Sequence, residues 1–168
     1  MIRRLSPISA ALVVTMTMAV ASAQDALDAS ARTVIGPNVL LADGAQAMLN
    51  GDWERGIQLT QLGLSVTHSR EDRAAALSNL CAGYGALKKY ERALESCNES
   101  LALLDSNWRT WQNRAAANLG LGRIEESLKD IQRGLELNPQ STELQKTLAI
   151  ARDREKAERE RLKDLVES

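Results

Sequence analysis

Few residues in this 168-residue chain have the types and spacing that chemistry needs. The single histidine, His68, stands beside Ser69, with no carboxylate at a spacing that would orient it, so a Ser-His-Asp arrangement is not supported and His68 reads as a surface residue. The two cysteines, Cys81 and Cys97, are 16 positions apart, too far for a Cys-x-x-Cys redox or zinc motif. There is no His-x-x-x-His pair and no glycine-rich phosphate loop, so no metal, nucleotide or other cofactor is expected. The 22 acidic residues alternate with Lys and Arg and read as solvated helix faces rather than as a catalytic pair. Asn98-Glu99-Ser100 has the spacing of a glycosylation acceptor, which matters only in a eukaryotic host. An enzyme is not expected.

The bulk composition agrees with that reading. A net charge of −1 offers no clustered basic field for nucleic acid or an anionic membrane. With 44% hydrophobic residues, only 3% aromatic and no Phe, any core is built from Leu, Ile and Ala, which favours helices in one small domain.

The first 23 residues read as an address. Arg3 and Arg4 precede an uncharged apolar run from Ile8 to Val20, and Ala21-Ser22-Ala23 supplies an A-x-A cleavage site before Gln24. Thirteen apolar residues are too few to span a bilayer, which takes roughly 20. A signal peptide over 1–23 is therefore expected, and export to the periplasm or beyond the cell with it. Losing Arg3 and Arg4 takes the net charge from −1 to −3. Residues 24–36 carry little pattern and read as a flexible lead-in.

The remainder repeats. At an offset of 34, residues 74–107 align with 108–141 and bring together Asn79/Asn113, Ala82/Ala116, Leu87/Leu121, Glu91/Glu125, Leu94/Leu128, Leu101/Leu135 and Leu103/Leu137. A further copy, 37–70, matches the second at an offset of 37 through Ala45/Ala82, Glu54-Arg55/Glu91-Arg92 and Leu64/Leu101, its extra residues falling in a polar loop from Thr67 to Arg73. Apolar positions step by three and four, as in Leu77, Leu80, Cys81, Tyr84 and Leu87, so each copy predicts two amphipathic helices. After Pro139, Thr142 and Gln145 have capping-box spacing, and Leu144, Leu148 and Ala151 continue a stripe before a charged run from Arg152 to Arg161. Residues 142–168 thus predict a charged cap helix for the array.

A 34-residue helix pair, with small residues such as Gly44, Gly56, Gly63, Ala93, Ser127 and Gly134, Trp111 early in the third copy and Asn138-Pro139 at its end, resembles the tetratricopeptide repeat (TPR). The resemblance covers 37–141 and implies an all-α fold, a short α-solenoid of antiparallel helix pairs. It also implies a concave groove lined by the first helix of each repeat, where an adaptor or scaffold of an exported assembly holds a peptide or partner protein. On the groove positions stand Ser78, Asn79, Arg109, Gln112 and Asn113, and the two asparagines can each donate to and accept from an extended peptide or instead satisfy a neighbouring helix. The family's clamp for a C-terminal carboxylate, two Lys, two Asn and an Arg, is matched at Asn79, approximated by Arg109 and missing at Leu41, Ala45 and Asn113, so a clamp is not expected. A structural subunit of an envelope complex, self-associating through its apolar first repeat, is the alternative function, and the oligomeric state stays open.

Cys81 and Cys97 take positions 8 and 24 of the second copy, at matching heights on two antiparallel helices if the turn lies near position 16. Position 8 is small in the family because the helices approach closely there. A disulfide is expected in an exported compartment, two buried thiols being the alternative.

Overall fold

The computed structural model describes residues 38–167, so the leader, the lead-in and Pro37 lie outside the described residues. Seven helices follow one another, with no strand among the described residues: α1 (Val39–Leu49), α2 (Trp53–Val66), α3 (Arg70–Ala86), α4 (Tyr90–Leu103), α5 (Trp108–Gly120), α6 (Ile124–Leu137) and α7 (Thr142–Glu167).

Polar caps start most of these helices. Asn38, Asp52, Ser69, Asn107 and Ser141 each accept a backbone N–H from the first turn of the helix that follows, which satisfies donors that a helix start leaves open. Two boundaries differ from the expectation. The Thr67–Arg73 loop shrinks to three residues because Ser69 caps α3 at Arg70, and Glu71 and Asp72 then sit favourably in its first turn. The cap of α7 is Ser141 rather than Thr142, its hydroxyl 3.2 Å from the Leu144 N–H, while Gln145 reaches back to the Pro139 carbonyl.

α1/α2, α3/α4 and α5/α6 are antiparallel pairs joined by the same turn three times. In each, a residue with positive φ (Gly51 at 81°, Lys88 at 58°, Gly122 at 75°) reverses the chain. The next N–H then bonds a carbonyl five residues back: Asp52 to Ala47, Lys89 to Tyr84, Arg123 to Asn118. This is the Schellman closure of a helix end, and Lys88 holds it at a cost of about 1–2 kcal/mol that glycine avoids.

The pairs stack with α1, α3, α5 and α7 touching in series as an inner layer, and α2, α4 and α6 outside them. Inner and outer helices close up where side chains are absent: a Cβ on Gly44 of α1 would sit 2.9 Å from the Thr60 amide nitrogen of α2. One apolar cluster, including Met48, Ile57, Leu77 and Leu94, runs through the first two pairs, and a second, with Leu119, Ile131 and Leu144, joins the third pair to α7.

Candidate functional site

α3 is the most enclosed helix, buried continuously from Ala76 to Tyr84, and the polar groove residues Ser78, Asn79, Arg109, Gln112 and Asn113 lie on it or on α5. Ser78 and Asn79 are 0% exposed, Gln112 3% and Asn113 7%, whereas Arg109 is half-exposed with its guanidinium 4.5 Å above the Trp108 ring. The structure brings two of the buried ones, Ser78 and Asn113, together as a tie between helices: Thr110 donates to the Ser78 hydroxyl at 2.8 Å, and Asn113 donates to the Ser78 carbonyl at 3.4 Å. The accessible inner-face positions are mostly small: Ala42, Ala75, Gly85, Ala86 and Ala116, with Leu49 at the α1 end, whereas Gly120 is small because a Cβ there would lie 2.5 Å from the Tyr90 ring of α4. The inner surface is therefore lined mostly by small side chains, with Ser78, Asn79, Gln112 and Asn113 buried beneath it. The clamp positions on α1, Leu41 and Ala45, are 2% and 0% exposed, so no cation projects there.

Cys81 and Cys97 are joined, with Cα atoms 5.2 Å apart, and the disulfide pins α3 of the inner layer to α4 of the outer one. The Cys97 sulfur, having no proton to donate, lies in plain contact with the Thr110 carbonyl at 3.3 Å, so the bond sits where α4 meets α5.

The expectation of acidic residues as solvated surface fails at Asp130, which is 3% exposed. The Arg114 side chain grips its carboxylate through Nε and Nη2, the shortest contact being 2.6 Å, and Asn118 donates to it at 3.0 Å. Arg114 also donates to Asn98 on α4 and stacks 4.7 Å above Trp111, so one side chain ties three helices. A second tie uses the Tyr84 hydroxyl, which accepts from Gln61 at 3.0 Å and from Arg92 at 2.8 Å. Tyr84 and Asn118 are 34 residues apart, and the repeat period was the one signal that marked these positions as bridging. Among the described residues no group of His, Cys, Asp and Glu comes together that would hold a metal ion, and no helix is long and apolar enough to cross a membrane.

Known structures share this arrangement. The first TPR domain of human RPAP3 has a TM-score of 0.65 and 25% identity over 73% of this chain and 94% of that one. The fold is a tetratricopeptide-repeat solenoid. The first TPR of Spaghetti (RPAP3), solved bound to the HSP90 peptide SRMEEVD, has a TM-score of 0.64 and 27% identity over 71% of this chain and 97% of that one. In sequence, RNA polymerase II-associated protein 3 from Homo sapiens is 38% identical over 66 residues. The match takes 39% of this chain and 10% of that relative, so the likeness reaches a TPR segment and not the rest of the protein. No family model matches the chain.

Proposed function

We propose that this TPR solenoid is a non-enzymatic adaptor that holds an extended peptide or a segment of a partner protein along the trough of α1, α3 and α5. The observation that carries the reading is the inner face itself: small side chains at Ala75, Gly85, Ala86 and Ala116 leave backbone-level surface accessible along α3 and α5, and a Cβ on Gly85 would meet nothing within 4 Å. The peptide seen on the similar Spaghetti domain supports the same class of ligand. With Leu41 and Ala45 buried where a clamp would place Lys and Asn, the ligand is held along its length and not by its C-terminal carboxylate. Arg109, half-exposed at the start of α5 with its guanidinium over the Trp108 ring, is the charged residue among these groove positions. Ser78 and Asn113, with Thr110, tie α3 to α5 beneath the ligand.

The site of action is an exported assembly, periplasmic or secreted. The leader-like residues 1–23 support this, and so does a disulfide in the core, since such bonds persist in oxidising compartments.

Ala116 gives the test, because it is exposed on the inner face and its side chain can be enlarged without touching the core. Ala116→Glu should lower capture of the partner on the order of tenfold, about 1.4 kcal/mol, and leave the melting temperature within about 2 °C. Undiminished capture would place the partner on another face.

A further inference from the structure

The charged end of α7 carries the sequence of a second repeat helix that has not folded back. At the repeat offset of 34, α7 starts where α5 starts, and Ala149 and Ala151 match Ala115 and Ala117. Beyond them Glu160, Leu162, Lys163 and Asp164 repeat Glu126, Leu128, Lys129 and Asp130 of α6, and Leu165 stands for Ile131. In the three pairs the chain reverses at Gly51, Lys88 and Gly122, but the matching residue Lys156 lies inside an unbroken helix. Glu155–Arg159 at 2.6 Å and Lys156–Glu160 at 3.9 Å bridge the place where the turn would be. Leu162 and Leu165 are left 52% and 66% exposed.

The slot for such a helix is open on the same molecule. Between α6 and α7 runs a groove of about 570 Å³ lined by Leu128, Ile131, Leu135, Leu148, Arg152 and Glu155, among others. Its lining corresponds to what holds Asp130 one repeat earlier, since Leu148 and Arg152 are 34 residues after Arg114 and Asn118.

We propose that two copies of this chain dimerise by exchanging residues 158–167, each lying in the α6/α7 groove of the other copy as the second helix of a fourth repeat. Leu162 and Leu165 cover the groove leucines, and Asp164 meets Arg152 as Asp130 meets Asn118 and Arg114. The exchange is two-fold. The register of the Cys81/Cys97 and Arg114/Asp130 pairs, carried along the repeat, sets Ala149 against Leu165 and Leu148 against Asp164. That places the axis near Ala157, a small exposed side chain where the two α7 helices cross. A second copy, rather than a fold-back within one chain, fills the slot because the bridged, unbroken helix keeps residues 158–167 away from their own groove.

Sedimentation equilibrium of the chain from Gln24 onward, at roughly 1 to 100 μM, should give twice the mass of one such chain. Leu162→Glu with Leu165→Glu, both on exposed positions, should raise the dimer dissociation constant by about a hundredfold without loss of helix, because four leucines leave the two interfaces. Asp164→Arg and Arg152→Asp should each weaken the dimer by about tenfold, and the two together in one chain should restore it. A monomer throughout, a dimer indifferent to the leucine pair, or charge reversals that fail to rescue each other would overturn the exchange.

Discussion

Replacing Asp130 with alanine will cost about 2–4 kcal/mol of stability, more than any truncation on the exposed face of the same helix. Asp130 is 3% exposed, and its carboxylate is the acceptor for the Arg114 guanidinium and the Asn118 amide. Alanine leaves both donors facing a gap. The Arg114 side chain is 24% exposed and recovers some hydration, which keeps the cost below that of a wholly buried lone cation. Asp130→Asn should recover part of the loss by keeping an acceptor without the charge. Urea unfolding of the three proteins reads the effect, and an alanine variant within about 0.5 kcal/mol of the parent would show that the network merely covers a contact already made by packing.

Loss of the Cys81–Cys97 bond comes next in size. The bond closes a loop of 16 residues, worth on the order of 3 kcal/mol in the chain-entropy model, and the same bond sits against α5 through Thr110. Reduction, or Cys81→Ala with Cys97→Ala, should therefore lower the melting temperature by roughly 10 °C for a domain of this size. Thiol titration of the denatured, unreduced protein purified from an oxidising compartment should find no free thiol. Two free thiols per chain would mean that the pair is only filling space, and the stability effect would then be that of two small cavities.

How far the sequence carried is clearest at particular residues. The step of three and four through Leu77, Leu80, Cys81 and Tyr84 and the 34-residue offset are properties of single residue types, and they suffice to specify the helix pairs. Cys81 and Cys97 were legible as neighbours for the same reason, since an antiparallel pair of known turn position fixes which heights meet. Asp130 was not legible, because its burial depends on Arg114 arriving from a different helix, and one charged residue among many on α6 carries no mark of that. Ser78 and Asn113 lie on α3 and α5, but the sequence does not say how closely those helices approach, and that distance makes the two residues a tie and not an exposed lining. The Thr142 cap shifted by one residue because Ser141 offers an equivalent hydroxyl one position earlier, a choice that local propensity leaves nearly balanced. The second-helix pattern in α7 was masked by its charge: Leu162 and Leu165 are the only apolar repeat matches in a run otherwise read as solvated surface.

A partner held along the inner helices must touch α5 at Ala116 and leave the outer helices bare. A photoreactive amino acid placed at Ala116 on the inner face, and separately at Glu91 on the outer helix α4, measures this in the native compartment, since both positions are exposed and neither belongs to the core. The trough predicts a discrete crosslinked species from position 116 and none from position 91. Adducts from position 91 alone, or no adduct from position 116 while the partner still copurifies, would contradict it.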